Sequence, residues 1–208
     1  RDGETRFKTM KLYFKSGACS LSPHIVVREA GLPFELIRVD TKAGKTASGE
    51  DYARINPKGA VPALQLDDGQ VLTEGAVIVQ YLADRKPEAQ LAPKAGTMER
   101  YRLQEWLNYI ATEVHKGFSP LFRKPPPEVK QAALEALEKR FAFLAGHLEK
   151  SQFLLGERFT VADAYLFTVL TWSAGQGIDL GRWPALKAHF DRIAARPAVR
   201  EALQAERS

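Results

Sequence analysis

The feature that most constrains the fold is a change of hydrophobic periodicity near residue 85. Before that point, short patterns typical of strands alternate with patterns typical of helices, and after residue 95 only helical patterns follow. Pro87 and Pro93 mark the change of composition between the two parts. The sequence therefore predicts an N-terminal domain at residues 10–85, a linker at residues 86–94 and a C-terminal domain at residues 95–208.

The N-terminal domain is predicted to have the order β-α-β-(α)-β-β-α. Alternation with a period of two indicates the strands, and Asp68-Gly69 is a strong signal for the turn of a hairpin. The predicted elements are strands at residues 11–15, 34–39, 61–66 and 71–73, helices at residues 23–30 and 74–84, a helical turn at residues 51–55 and a loop at residues 40–50. A βαβ unit followed by ββα within about 75 residues is the thioredoxin-like arrangement.

The C-terminal domain is predicted to be all-helical, so the fold class is α/β plus all-α. Apolar residues recur at three-and-four spacing through residues 97–117 and 128–150, which predicts two helices that face a core. Thr160 and Asp163 open a third helix as a variant of the capping box. Trp183-Pro184 and Arg196-Pro197 begin two more helices.

Cys19 is the only cysteine, and it lies where the first strand turns into the first helix. Unpaired amides and the positive end of the helix dipole collect at such a place and favour thiolate over thiol. We therefore expect the pKa of Cys19 to lie below its usual value of about 8.5. Ser22 is expected to cap the helix, with Pro23 as its first residue. The alternative is that Cys19 is a small buried apolar residue, as most single cysteines are.

Val61-Pro62 stands at the start of a strand, where a thioredoxin-like domain needs a cis proline. A cis bond would aim the backbone N–H and C=O of Val61 outward, so that an extended peptide could pair with them. Glu74-Gly75 opens the next helix, whose first amides could bind a carboxylate while Glu74 takes an ammonium group. The simpler interpretation is that Glu74 only complements the helix dipole.

Asn108, Thr112 and His115 fall at i, i+4 and i+7, and they are expected to form a polar stripe on the first helix of the C-terminal domain. Such stripes usually face solvent, but aromatic residues flank this one, which favours a cleft or an interface. In a cleft, His115 could donate to a thiolate or act as an acid or base near neutral pH.

Charge and composition exclude several classes of function. The net charge is +5, but basic and acidic residues are interleaved, so the sequence predicts no nucleic-acid partner and at most a preference for a small anionic substrate. No apolar run approaches the ~20 residues of a membrane span, and the histidines lack metal-ligand spacing, so neither a membrane partner nor a metal is predicted. One cysteine is typical of a reducing compartment, here the cytoplasm. Residues 1–9, before Met10, are predicted to be a disordered extension or an expression remnant.

Motifs in both domains carry a resemblance to a known family. They are Asn56-Pro57-Lys58-Gly59-Ala60-Val61-Pro62-Ala63-Leu64, Leu72-Thr73-Glu74-Gly75 and Phe159-Thr160-Val161-Ala162-Asp163-Ala164. With these motifs and this order of domains, the chain closely resembles the cytosolic glutathione S-transferases over nearly its whole length, from Met10 onward. Residues 11–22 and 106–118 are similar to the bacterial beta class.

The resemblance implies a homodimer that uses glutathione as its co-substrate and conjugates it to hydrophobic electrophiles. It implies that Cys19 stands beside the glutathione sulfur and that Cys19 and His115 are catalytic. The glutathione-binding residues that it implies, some of them from the partner subunit, are Cys19, Lys45, Val61, Pro62, Glu74, Gly75, Asn108, Thr112, Glu113, Val114 and His115. Lys45 stands in for a loop lysine whose expected position is Gly44. The hydrophobic substrate pocket is expected to contain Phe118, Phe122 and Trp172.

Three interpretations of the chemistry stay open. A transferase would hold glutathione as a thiolate that attacks an electrophilic carbon. A redox enzyme, of thiol-transferase or dehalogenase type, would form a mixed disulfide between Cys19 and glutathione. A protein without catalytic activity would sequester hydrophobic ligands at the domain interface.

Overall fold

A computed structural model describes residues 9–208, so the predicted extension lies, up to residue 8, outside the described residues. Within them, the N-terminal half holds a five-stranded sheet in the order β3-β2-β1-β4-β5. The strands are β1 (Met10–Phe14), β2 (Phe34–Asp40), β3 (Lys45–Thr46), β4 (Ala63–Gln65) and β5 (Val71–Thr73). The predicted thioredoxin-like class is confirmed.

β1 lies at the centre of the sheet. It pairs in parallel with β2, with Leu12 opposite Leu36, and antiparallel with β4, with Leu12 opposite Leu64. The side chains of Leu12 and Leu64 are fully buried. The parallel pair requires a crossover helix between β1 and β2, and the turn into that helix carries Cys19.

Eight α-helices are present in the described residues. They are α1 (Leu21–Glu29), α2 (Gly75–Arg85), α3 (Met98–Tyr109), α4 (Lys116–Phe118), α5 (Pro127–Leu148), α6 (Val161–Leu170), α7 (Pro184–Ala194) and α8 (Pro197–Arg207). α1 packs against α2 of its own domain and against α6 and α8 of the helical domain. The helix that follows Cys19 is therefore held from both domains.

Two local predictions in the N-terminal domain are wrong. α1 begins at Leu21, and Pro23 is its third residue, because proline is tolerated throughout the first turn, where amide hydrogens have no intrahelical partner. Ser22 does not cap the helix, since its hydroxyl donates to the carbonyl of Cys19 at 2.9 Å. The predicted loop at residues 40–50 contains β3, which adds an edge strand antiparallel to β2.

The first long helix of the C-terminal domain changes its winding. A π-helical segment, Ile110–His115, joins α3 to α4. A π-turn holds an extra residue, so side chains beyond Ile110 are rotated relative to an α-helix. Asn108 and Thr112 are exposed, whereas His115 is only partly exposed. The predicted single stripe is therefore wrong, and His115 is directed to a different face.

Asp163 anchors the start of α6, which is buried along its whole length. Its carboxylate accepts from the backbone amides of Thr160 at 2.9 Å and Leu154 at 3.0 Å. His189 of α7 lies 2.8 Å from the same carboxylate. The prediction that Asp163 reaches back to Thr160 is confirmed.

Candidate active site

A cavity of about 290 Å³ lies between the two domains, and it contains the only cysteine. The residues that line it are Cys19, Ser22, Asn56, Ala60, Val61, Pro62, Glu74, Gly75, Ala76, Ala111, His115, Lys116 and Tyr165. Grooves of about 590 and 970 Å³ lie along the linker, but they contain none of the predicted site residues. Chemistry, not size, identifies the smaller cavity as the candidate site.

The thiol of Cys19 points at the backbone of Val61, which precedes β4. Its Sγ donates to the carbonyl oxygen of Val61 at 3.3 Å. Burial raises the pKa of Cys19 to about 11, and the negative charge of Glu74 adds to this rise. The amides of Cys19 and Ser20 and the charge of Lys116 act in the opposite direction but are outweighed. The expectation of a lowered pKa is wrong, because burial outweighs the helix start.

The segment before β4 is fixed by hydrogen bonds to one carbonyl oxygen. Tyr52 Oη donates to the carbonyl of Ala60 at 2.8 Å, and Asn56 Nδ2 donates to the same atom at 2.7 Å. The Val61-Pro62 bond that follows is cis, as predicted. Since Asn56 is almost fully buried, the segment presents Val61 to the cavity on a rigid support.

Glu74 lines the cavity from the start of α2. Its φ of 72° is in the left-handed region, and its side chain does not cap the helix. The carboxylate forms an ion pair with the ammonium of Lys58. The first amides of α2, at Gly75 and Ala76, lack intrahelical partners by helix geometry and line the cavity.

His115 and Tyr165 form part of the cavity wall that the helical domain contributes. His115 Nδ1 and Tyr165 Oη are 2.7 Å apart. Burial, with the neighbouring Lys116 charge, lowers the pKa of His115 to about 4, so its ring is neutral at pH 7. Burial also raises the pKa of Tyr165, with smaller contributions from Cys19 and Glu74. The expectation that His115 exchanges a proton near neutral pH is therefore wrong.

Comparison with known proteins gives matches over both domains. The family described as "Glutathione S-transferase, N-terminal domain" matches residues 17–85, and "Glutathione S-transferase, C-terminal domain" matches residues 109–197. Glutathione S-transferase GstA of Escherichia coli O157:H7 is 49% identical over 95% of this chain and 98% of its own length. The chain belongs to the glutathione S-transferase family.

Solved structures place this glutathione S-transferase among bacterial members of the family. The bacterial enzyme BphK, solved as a ternary complex, has 55% identity and a TM-score of 0.93, covering 95% of this chain and 100% of that one. A beta-class enzyme from Sphingomonas chungbukensis has 46% identity and a TM-score of 0.91, covering 94% and 98%. The predicted resemblance to the beta class is thus confirmed.

The predicted glutathione-binding residues of this glutathione S-transferase fall into two groups. Six of them line the cavity, namely Cys19, Val61, Pro62, Glu74, Gly75 and His115. The other five, Lys45, Asn108, Thr112, Glu113 and Val114, do not line it. Lys45 is exposed in β3, and Val114 is fully buried in the core, so its side chain cannot contact a ligand. Glu113 pairs with Arg140 at 2.6 Å instead.

Two of the three residues predicted for the hydrophobic pocket, Phe122 and Trp172, pack against each other. Trp172 packs edge-on against Phe122 and His115, with ring centroids 5.3 and 5.0 Å apart. Phe122 is 51% exposed. Phe118 is fully buried and packs against Phe141 and Trp172, so its assignment to the pocket surface is wrong.

Sequence reasoning missed seven residues of the cavity. They are Ser22, Asn56, Ala60, Ala76, Ala111, Lys116 and Tyr165. Lys116 could have been predicted, because it directly follows the candidate catalytic residue His115 in the sequence. Tyr165 gave a weaker signal, as the one phenol within the apolar run of α6.

Two classes of feature are not found in the described residues. No group of three or more His, Cys, Asp or Glu side chains within residues 9–208 is arranged to hold a metal ion. None of the helices described there combines the length and the apolar character needed to cross a bilayer.

Proposed function

We propose that this protein binds glutathione in the cavity between its domains and conjugates it to small hydrophobic electrophiles. The observation that carries the proposal is one cavity in which Cys19, the Val61 backbone, Glu74 and His115 converge. Family membership supports it, since the relatives at high identity are named glutathione S-transferases. No metal is required for this chemistry, because sulfur is the nucleophile.

Glutathione would lie along the cavity in an extended form. Its γ-glutamyl carboxylate would accept from the first amides of α2, and its ammonium would pair with Glu74, displacing Lys58. Its cysteinyl backbone would pair with Val61, whose carbonyl now accepts from Cys19. Lys45 is proposed for the glycyl carboxylate, and the exposed Asn108 and Thr112 are proposed to reach the partner's site.

The reaction follows from the charges in the cavity. The glutathione thiol loses its proton to solvent, and its sulfur attacks the electrophilic carbon, forming a C–S bond as the leaving group departs with its electron pair. Cys19, whose raised pKa keeps it a thiol, and neutral His115 can both donate hydrogen bonds to the thiolate. Lys116 supplies a positive charge nearby. Preorganised donors of this kind lower the pKa of the bound glutathione.

Thiol–disulfide exchange through Cys19 is a second activity of the same site. Its first step is attack of the Cys19 thiolate on oxidised glutathione, which releases one glutathione thiolate and leaves a mixed disulfide. A second glutathione would resolve this disulfide. Since a pKa of about 11 leaves little thiolate at pH 7, we expect exchange to be slow relative to conjugation.

We further propose a cytoplasmic homodimer. Large apolar side chains are exposed on neighbouring helices, namely Val77 on α2, Met98 and Tyr101 on α3, and Phe143 on α5, each between 46% and 65% exposed. Patches of exposed apolar surface mark interaction sites. A single cysteine and a reduced co-substrate fit the cytoplasm. A monomeric mass in light scattering at micromolar concentration would exclude the dimer.

Turnover of glutathione with an activated chloroarene tests the main proposal. Glu74→Gln should raise KM for glutathione by roughly tenfold with kcat nearly unchanged, because it removes a charge pair made equally in ground and transition states. Glu88→Gln is the matched control, since Glu88 also pairs with a lysine, Lys86, outside the cavity. Ligand binding without turnover would favour sequestration instead.

A further inference from the structure

Tyr165 is the residue of the cavity whose role the proposed reaction leaves open. It lies in the middle of α6, a helix that is buried along its whole length, and only 5% of its surface is exposed. Its hydroxyl reaches the cavity and lies 2.7 Å from Nδ1 of His115. A polar group placed this deeply is held rigidly by the packing around it.

The direction of this hydrogen bond decides what His115 offers to a ligand. With the ring and the phenol both neutral, there are two arrangements. Tyr165 O–H can donate to Nδ1, which places the ring proton on Nε2, or Nδ1–H can donate to the phenol oxygen. The phenol is the stronger acid and the imidazole nitrogen the better acceptor, so the first arrangement is favoured.

We propose that Tyr165 is a positioning residue that holds His115 in the tautomer whose Nε2–H donates to the sulfur of bound glutathione. The proposal rests on the proposed function, since it names the group that stabilises the thiolate. The other titratable side chains that line the cavity are Cys19, Glu74 and Lys116. Among the hydrogen bonds of residues 9–208, the ring of His115 makes this one alone, so the bond to Tyr165 sets its tautomer.

Tyr165→Phe tests the inference, because it removes the hydroxyl and keeps the ring. Without the bond, His115 can shift its proton to Nδ1 and lose the donor at Nε2. We expect kcat/KM at pH 7 to fall roughly tenfold, and the pKa of bound glutathione, read from thiolate absorbance and from the pH profile, to rise by about one unit. KM for glutathione should change little. Tyr109→Phe is the matched control, since Tyr109 lies on α3 away from the cavity.

A double variant separates positioning from simple packing. In a His115→Ala background, Tyr165→Phe should cost no further activity, because its effect acts through His115. Independent effects that multiply would overturn the proposal, as would an unchanged pH profile in an active single variant. An inactive wild-type protein would instead refute the proposed function.

Nitrogen chemical shifts of ¹⁵N-labelled histidine in the wild-type protein give a test that does not depend on the activity of any variant. For His115, assigned by its loss in the alanine variant, we expect a protonated Nε2 and an unprotonated Nδ1 between pH 6 and 8. A protonated Nδ1 would overturn the inference.

Discussion

The indole Nε1 of Trp172 donates a hydrogen bond to the carbonyl oxygen of Gly17 across the domain boundary, at 2.9 Å. Gly17 has a φ of 74° and belongs to the turn that leads to Cys19. The same indole packs edge-on against His115, with ring centroids 5.0 Å apart. Trp172 of the helical domain therefore contacts both the turn that leads to Cys19 and the ring of His115. The geometry of the site thus depends on how the two domains pack.

Trp172→Phe should remove the hydrogen bond to Gly17, while the phenyl ring still fills most of the volume of the indole. One hydrogen bond is lost while most aromatic contacts stay, so we expect a loss of about 1 kcal/mol in the free energy of unfolding and a severalfold lower kcat/KM. Urea unfolding and turnover measure the two effects. Trp183→Phe is the control, because Trp183 packs on Phe141 away from the cavity. Equal losses of kcat/KM in both variants would contradict the idea.

The pKa of Cys19 predicts how its reactivity depends on pH. With a pKa of about 11, the thiolate fraction of the ligand-free protein rises about tenfold per pH unit between pH 7 and 10. The rate of alkylation by iodoacetamide should follow the same slope and show no plateau near neutral pH. Cys19→Ala, which should retain glutathione binding, gives the background rate. A plateau below pH 8 would show that the helix start outweighs burial.

His115 should make stability fall as the solution becomes acidic. Its pKa is lowered from 6.5 to about 4 in the folded protein, so between these values the unfolded chain binds a proton that the folded chain does not. The stabilisation present above pH 6.5 is therefore lost as pH falls toward 4. Urea unfolding at pH 7.5 and 5 should show a larger loss for the wild type than for His115→Gln. Equal losses of stability in the two proteins would mean that protonation of the His115 ring does not destabilise the folded state.

Much of the fold could be predicted from the sequence because periodicity and turn chemistry act locally. Four of the five strands, the Asp68-Gly69 hairpin and the capping at Asp163 follow from neighbouring residues. β3 was missed because two residues are too few for a periodic pattern, and its pairing with β2 is set by tertiary contacts. The π-turn at Ile110–His115 was missed because residues spaced for an α-helix do not reveal a local change of winding.

The candidate site was predicted less completely, for a physical reason. Cys19, Glu74 and His115 were found because each lies at a recognisable helix start or beside aromatic residues. The pKa of Cys19 depends on burial in the folded protein, which no local pattern records. The contact between Tyr165 and His115 joins residues 50 positions apart, so only the fold brings them together.

The network around Asp163 should contribute most to stability. Its fully buried carboxylate accepts from the amides of Leu154 and Thr160 and lies 2.8 Å from His189 Nε2. Asp163→Ala would leave these donors buried without an acceptor, so we expect a loss of about 3–5 kcal/mol in the free energy of unfolding.

Asp163→Asn keeps the shape of the side chain and one acceptor oxygen, but its amide group would face a donor, so its loss should be smaller, roughly 2 kcal/mol. Asp191→Asn is the surface control. Asp191 pairs with Lys187 in solvent, and such pairs contribute less than about 1 kcal/mol. Urea unfolding measures the free energy of unfolding of the three variants. If Asp163→Ala yields no folded protein, that result agrees with its having the largest loss. If Asp163→Ala cost no more than Asp191→Asn, the start of α6 would be held by apolar packing alone.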